Sequence, residues 1–379
     1  MSEQSVKRTP GRAPELTPEL MGAIEVAVEA LRSGECIGMP TETVYGLAAD
    51  ALNPNAVARV FETKRRPAFD PLIVHVTPEM DIDAWVELND TARRLIIQFW
   101  PGPLTLLVTK RALISDLVTS GHPTVALRCP AHPVARALLN AFGGPLVAPS
   151  ANLFGQLSPT SAAAVRAGLG DAVRVVLDGG PCEVGLESTI VDSTATPPEL
   201  PILRLGGVAP ERLSALGYHL SYPTPIIGQA PGTLKNHYAP SIPLYLIELD
   251  ELDELDESGG SNGPDHASTD QPLEHAQYQE ADPQKLALLG WRDTRPEFGV
   301  SEVLSPSGDS TEAAARVFAL LRALSERGCE GIVATLPPPE GLGRAIRDRL
   351  KRGASGYARF ERGVWRLPQL HPQSPLEDH

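Results

Sequence analysis

Cysteine, long apolar runs and an excess of basic charge are what this chain lacks. Its four cysteines, Cys36, Cys129, Cys182 and Cys329, lie far apart and make no C-x-x-C, so neither a zinc ribbon nor a disulfide scaffold is indicated and buried reduced thiols are expected. No segment approaches the roughly 18 uninterrupted apolar residues of a membrane-spanning helix. The opening MSEQSVKRTPGRAPELTPE has no apolar stretch of a leader peptide, so the expected location is the cytoplasm, with no membrane partner. The 33 Lys and Arg face 47 Asp and Glu, for a net charge of −14. Both parts of the chain are acidic, with 17 cations against 22 anions through residue 208 and 16 against 25 beyond it. Charge-driven binding to nucleic acid is therefore not expected, and any polyanion has to be held by a few placed cations inside a cleft. The common phosphate-binding and hydrolytic signatures are missing too: there is no G-x-x-x-x-G-K-[ST], no H-E-x-x-H and no G-x-S-x-G, and Gly341-Leu342-Gly343 lacks the third glycine of a dinucleotide fingerprint.

What is present is an ordinary globular composition, 42% hydrophobic and 21% charged over 379 residues, long enough for two domains. A polar tail, 1–16, ends at Thr17-Pro18, an N-cap and first-turn proline for a helix with Met21, Ile24, Val28 and Leu31 at helical spacing and Gly34 at its close. From 17 to 208, the runs CIGMP, LIVHV, LTLLV, TVALR, PLVAP, VRVVL, STIVD and PILRL read as strands between amphipathic segments, a large mixed α/β domain. Residues 209–240 form a connector rich in Pro and Gly, and 241–370 a smaller Rossmann-like domain built from IPLYLIEL, LALLG, a helix near 310–326, GIVAT and a helix near 342–351. Within it, 250–284 holds many acids and no Lys or Arg and reads as a disordered loop, and 371–379 is a tail.

Polar residues cluster where predicted strands end, the usual place for ligands in α/β sheets. Pro40-Thr41-Glu42-Thr43-Val44-Tyr45-Gly46-Leu47 offers hydroxyls and close backbone approach to a small polar ligand; it equally describes a turn whose threonines bond their own backbone. Lys64-Arg65-Arg66-Pro67 follows a helix that starts at Asn53-Pro54 and turns Val57, Val60 and Phe61 inward. These cations either complement the helix dipole or face a phosphate. His75 interrupts an apolar strand and needs a partner, which a neighbouring backbone group would supply as well as a ligand. Ser150 and Asn152 in PSAN, with Thr160 beyond, either face a ligand or form an Asx-turn, Thr160 being a helix cap or a phosphate contact. Thr124, Arg128, Ser188 and Arg204 are further polar tips on strands that alone would pass as surface residues.

Together and in order, PTETVYGL, K-x-RP before PLIVHV, FWPGPLT, LR-x-P, PSAN-x-x-G, ESTIVD and ILR-x-G resemble the Sua5/YrdC/YciO family of threonylcarbamoyl-AMP synthases over about residues 17–208. APGTLKNHYAP and the β/α module after it resemble its longer Sua5 branch. The resemblance implies a twisted mixed-sheet YrdC-like catalytic domain with a concave, positively lined cavity, and a smaller Rossmann-like C-terminal domain joined by a linker that closes over the site. It implies a nucleotidyltransferase that condenses L-threonine, bicarbonate and ATP into threonylcarbamoyl-AMP and pyrophosphate. A separate transferase would use that product for the N6-threonylcarbamoyladenosine of tRNAs reading ANN codons. ATP is then a substrate, and Mg²⁺ an expected companion whose ligands the sequence does not identify. Carried over by motif, the threonine site comprises Thr43, His75, Arg128, Ser150 and Ser188. The ATP site comprises Lys64, Arg66, Asp70, Thr124, Asn152, Thr160, Arg204 and His237. The reacting groups would be handled by Lys64, Arg66, Ser150 and Asn152.

Three departures stand out from the family pattern. Arg65 occupies the glycine of K-G-R-P and is expected to point outward. Asp70 replaces an asparagine, so that it either faces Mg²⁺ or has left the site. The connector lacks Lys-Tyr-Arg, leaving His237 and Tyr238 as the retained pair. Two alternatives remain at this stage: an RNA-binding module, against which the acidic balance speaks, and a carbamoyl-adenylate-forming enzyme of the hydrogenase-maturation type, whose zinc-finger and acylphosphatase-like segments are not found.

Overall fold

A computed structural model describes residues 16–223, 230–231, 238–248, 277–361 and 363–369, divided between two units, 1–235 and 236–379. In the first unit α1 (Pro18–Arg32) begins as expected, with Thr17 Oγ1 accepting from the Leu20 amide, and Gly34 at φ +81° reverses the chain after it. Ile24, Ala27, Val28 and Leu31 form its buried stripe, and Met21, expected inside, is 40% exposed because the stripe runs through Ala27 instead. Then follow β1 (Ile37–Met39), β2 (Gly46–Asp50), α2 (Pro54–Lys64), β3 (Ile73–His75), β4 (Val86–Glu87), α3 (Asp90–Phe99) and β5 (Leu104–Lys110). The chain continues through α4 (Asp116–Thr119), β6 (Thr124–Arg128), α5 (Pro133–Phe142), β7 (Leu146–Val147), α6 (Ala162–Leu169), β8 (Thr189–Asp192), β9 (Glu199–Arg204), α7 (Pro210–Ser214) and β10 (His219–Ser221).

These strands make one mixed sheet in the order β1-β2-β7-β3-β6-β5-β8-β9-β10, with β4 beside β5. β3/β6, β5/β8 and β9/β10 are parallel and the remaining pairs antiparallel. The alternation of each strand divides its residues between two faces. Leu47, Val74, Leu106, Val125, Leu127 and Val191 pack on one face with Val57 and Val60 of α2 and Leu95 of α3. On the other face α1 and α5 cover Ile37, Ala48 and Leu146 at one end. The middle of that second face, Ile73, Leu107, Ala126, Ile190 and Leu203, receives Ala230 of the connector in place of a helix.

Two expectations need correction here. VRVVL (173–177) is not a strand. It touches the sheet through a single parallel bridge between Val176 and Gly38 of β1 and pairs no further along its length. The segment beyond residue 208, read as a linker, still belongs to the first unit through α7 and through β10, which pairs with β9.

The second unit has a five-stranded all-parallel sheet. Its strands are β11 (Leu244–Ile247), β13 (Leu286–Gly290), β14 (Val300–Val303), β15 (Gly331–Thr335) and β16 (Gly356–Tyr357), in the order β14-β13-β15-β11-β16, with helices α8 (Ser310–Ser325) and α9 (Gly343–Gly353). A small antiparallel sheet, β12 (Tyr278–Ala281), β18 (Val364–Pro368) and β17 (Arg359–Glu361), shares its core through Trp365, which packs edge-on against Phe298 and Phe360. The acidic stretch expected as a loop to 284 therefore ends sooner: 249–276 lie outside the described residues, but from Tyr278 the chain is a strand paired with β18. Among the described residues no helix is long and apolar enough to cross a membrane. Cys36, Cys129 and Cys182 are buried free thiols, and Cys329 is a half-buried one.

Candidate active site

Strand register places a row of side chains across the part of the second face that no helix covers. His75 on β3 pairs with Arg128 on β6, Arg128 with Thr105 on β5, Thr105 with Ile190 on β8, and Ile190 with Arg204 on β9. Directly paired residues share a face, so two arginines, a histidine and a threonine line one level of the sheet although the chain separates them widely.

At the centre of the row the Arg128 guanidinium is buried and held from three sides. Nε donates to Gly102 O at 3.3 Å, Nη1 to Thr43 Oγ1 at 2.8 Å and Nη2 to Glu42 Oε1 at 2.7 Å. Arginine has five N–H donors, so two remain for a carboxylate. The turn after β1 supplies both partners. Thr41 Oγ1 ties that turn together, donating to Val44 O at 2.6 Å and accepting from the amides of Thr43 and Val44. The turn reading of PTETVYGL thus holds for Thr41, while Thr43, whose hydroxyl lies 2.8 Å from that of Thr41, also accepts from Arg128. Glu42 is buried beside them, and its Oε2 has no hydrogen-bond partner among the described residues. His75 is fully enclosed, with Nδ1 3.2 Å from Ile73 O. Burial, and secondarily the charge of Arg128, push its pKa down to about 3, so the ring is neutral at pH 7.

At the far end of the row, Arg204 Nε and Nη2 donate to Ser188 O at 3.1 and 2.9 Å, and Nη2 also reaches Ser188 Oγ at 3.1 Å. Ser188 Oγ lies 2.7 Å from Thr105 Oγ1, and Arg204 Nη1 donates to Pro231 O at 3.1 Å, fixing the connector where Ala230 packs. Gly206 lets these strand ends close up: a Cβ there would stand 2.3 Å from Glu187 O and 2.5 Å from the Ser188 carbonyl carbon.

A second group of charges sits at the end of α2. Its N-cap Asn53 and buried Val57, Val60 and Phe61 are as expected, and Arg65 closes it in the left-handed region at φ 51°, its side chain exposed. Lys64, by contrast, is buried, and its Nζ donates to Ser150 O and, at 2.6 Å, to Asn152 O. In its ammonium form one proton remains for a ligand. Burial, and then the neighbouring Arg66, drive the Lys64 pKa well below the ordinary lysine range, while Asp70 acts in the opposite sense. Arg66 and Asp70 form a buried ion pair at 2.8 Å. The PSAN loop is sewn to the PTETVYGL turn by Ala151 N to Tyr45 O at 2.8 Å and Leu47 N to Pro149 O at 2.7 Å. Asn152 Nδ2 donates to Leu153 O and Gln156 O, and its buried Oδ1 has no partner among the described residues.

The structure thus brings Thr43, His75, Arg128, Ser188 and Arg204 to one level of the sheet, and Lys64, Arg66, Asp70, Ser150 and Asn152 to the α2 end. Thr124 is set apart: it begins β6, half-buried and paired with Thr109, about 13 Å from Arg128 at the rise of a strand. Thr160 is buried but caps nothing. The cap of α6 is Ser161, whose Oγ accepts from the Ala164 amide at 3.2 Å. His237 lies outside the described residues. Tyr238 is enclosed within the second unit, its ring stacked on Phe318 and under the Arg349 guanidinium.

Sequence reasoning missed Glu42 as the Arg128 partner, Thr105 in the row, and Glu187, whose buried carboxylate accepts from Ser158 Oγ. Thr105 carried a readable signal, since two residues before Leu107 it shares that residue's face of β5. Glu187 carried none. No three His, Cys, Asp or Glu side chains among the described residues gather as a metal cage.

Two family models match the chain. The Sua5, YciO and YrdC model, described as telomere recombination, matches residues 29–206, and a threonylcarbamoyl-AMP synthase C-terminal domain matches 208–355. The threonylcarbamoyl-AMP synthase of Pyrococcus abyssi is 36% identical over 344 residues, covering 88% of this chain and 94% of the relative. That of Bacillus subtilis is 34% identical over 347 residues, covering 88% and 93%. Among solved structures, P. abyssi Sua5 complexed with L-threonine superposes with a TM-score of 0.73 at 31% identity, covering 88% of this chain and 94% of that one.

Proposed function

Since the chain belongs to the Sua5/YrdC/YciO family, in the long form that carries the Sua5 C-terminal domain, we infer that it is an L-threonylcarbamoyladenylate synthase. It condenses L-threonine, bicarbonate and ATP to threonylcarbamoyl-AMP and pyrophosphate. The observation that carries this reading is the row His75–Arg128–Thr105–Arg204, with Thr43 and Ser188 against it, in a fold shared with a protein solved with L-threonine.

In this reading the two unplaced N–H groups of Arg128 receive the threonine carboxylate as a fork, while Thr43, Ser188 and Ser150 contact the rest of the amino acid. Neutral His75 brings no second positive charge to compete with Arg128. The threonine ammonium group first loses a proton to solvent, and the neutral amine then combines with bicarbonate, with loss of one water, to N-carboxy-threonine. Its carboxylate attacks the α-phosphorus as pyrophosphate departs in line. Lys64 and Arg66 lie where phosphate charge would gather, Asn152 orients the adduct, and Thr124, Thr160 and Arg204 line the nucleotide side. Fixed charges and dipoles, not a covalent enzyme intermediate, supply the acceleration. The connector residues Ala230 and Pro231, seated against the row, would keep water from the carbamate. Mg²⁺ typically arrives on substrate phosphates with one or two carboxylates; at the α2 end the Asn152 Oδ1, without a partner among the described residues, would be an oxygen placed to meet it. Such an ion would neutralise phosphate charge. The product passes, in the cytoplasm, to a transferase complex that modifies N6 of adenosine 37 in tRNAs reading ANN codons.

The test is incubation with ATP, L-threonine and bicarbonate, with pyrophosphate release and mass spectrometry of the adenylate as readouts. Omission of any one substrate should abolish both. Pyrophosphate release that ignores threonine would overturn the reading.

A further inference from the structure

Arg66, to which the mechanism above gives a phosphate, already holds a carboxylate in this structure, that of Asp70. The chain from Arg66 to Pro71 folds back on itself so that Arg66 Nε donates to Asp70 O at 2.9 Å and Nη2 to Pro71 O at 2.8 Å, with Nη2 also 2.8 Å from Asp70 Oδ2. The two side chains are only 3% and 2% exposed. Water therefore screens the pair little, and each charge feels the other strongly. Lys64 at the end of α2 feels both, Arg66 and Asp70 acting on it in opposite senses. A carboxylate against an arginine edge offers what a phosphate offers, anionic oxygens at hydrogen-bond distance. A nucleotide phosphate approaching Arg66 thus meets a cation that already holds an anion of its own.

We propose that Asp70 is a built-in stand-in for the phosphate: it positions Arg66 before ATP arrives and competes with ATP for it, so that nucleotide affinity is set by exchange of anions on one guanidinium. The proposal rests on the reading of Arg66 as a phosphate ligand. It also accounts for a carboxylate at position 70, where an amide would position Arg66 without competing. The consequence runs opposite to that of an ordinary structural residue. Loss of a residue that merely supports the loop lowers affinity or leaves it alone, whereas loss of a competitor raises it.

The experiment measures ATP binding to the full chain by calorimetry, with threonine and bicarbonate left out so that no turnover occurs. A neighbouring buried charge commonly shifts a charge equilibrium by one unit or more, so Asp70→Asn should tighten ATP binding roughly tenfold. Asp70→Glu, which keeps the charge, should stay near the parent. Arg66→Gln should weaken binding, and in the double variant the gain from Asp70→Asn should vanish. In steady state Asp70→Asn should lower the KM for ATP and leave that for threonine unmoved. If Arg66→Gln weakens binding while Asp70→Asn weakens it or changes nothing, the competition is refuted and the role of Arg66 stands. If Arg66→Gln leaves ATP binding intact, the underlying reading of Arg66 fails instead. Asp70→Ser, smaller and neutral, serves as the second variant if Asp70→Asn does not fold by circular dichroism.

Discussion

Lys64 Nζ donates to the carbonyl oxygen of Asn152 at 2.6 Å, so the last residue of α2 holds the loop that follows β7. Lys64→Met keeps the length of the side chain and removes every donor. The PSAN loop then loses its two side-chain ties to α2 while keeping its backbone ties to the PTETVYGL turn, and on the proposed reading the phosphates lose a cation. Loss of one charge-stabilising donor commonly costs on the order of 10²-fold or more in rate, and a drop of that order in pyrophosphate release is expected. Near-full turnover in this variant would remove Lys64 from the mechanism.

The Glu42–Arg128 pair is buried on both sides, 6% and 4% exposed. Glu42→Ala leaves a guanidinium without its counterion away from water, which typically destabilises by about 3–5 kcal/mol. Urea unfolding should register that loss, and the KM for threonine should rise as the fork on Arg128 loosens. Glu42→Gln retains an acceptor and should fall between Glu42→Ala and the parent. A Glu42→Ala protein as stable as the parent would mean that Arg128 finds another anion.

Arg65 adopts φ 51° and ψ 39° with an exposed side chain, a conformation that costs a residue with a Cβ about 1–2 kcal/mol relative to glycine. Arg65→Gly should therefore stabilise the protein by about 1 kcal/mol in denaturant titration, and Arg65→Ala should give no such gain. Equal gains from both would place the effect in charge, not in the backbone.

His75 ties stability to pH. Its folded-state pKa is lowered to about 3 by burial and by Arg128, against 6.5 for the ordinary group. Between those values the unfolded chain binds the proton and the folded chain does not. This contribution is thus fully present above pH 6.5 and is lost as the pH falls toward 3, at up to about 1.4 kcal/mol per unit. Stability measured across that range should decline, and His75→Gln should flatten its share of the slope. An unchanged slope would assign the acid sensitivity to other groups.

Helix starts and strand faces were the legible part of this molecule, because they depend on neighbours in sequence. Thr17 and Asn53 cap where they should, and the alternation in TVALR is enough to set Thr124, Ala126 and Arg128 on one side of a strand. β2 was hidden because Gly46, Ala48 and Ala49 have little strand preference; it exists because Gly46 passes so close to Ala148 that a Cβ would lie 2.9 Å from the alanine methyl. VRVVL has the composition of a strand without neighbours to pair with along its length. In the site, the motifs identified which polar residues matter but not what holds them. The attachment of Arg128 to Glu42, of Lys64 to two carbonyls and of Arg66 to Asp70 depends on long-range packing and on loop closure, and no local pattern encodes it.

The close approach at Gly206 bears on which amino acids the site can accept. Because main chain already fills the volume beside it, the position of the Ser188 backbone, to which Arg204 is bonded, is a property of the scaffold. On the proposed reading of the row as the amino-acid site, a version redesigned for a larger amino acid would have to find its extra room on the side of Thr43 and His75, leaving the Gly206 wall as the fixed jaw of the vice.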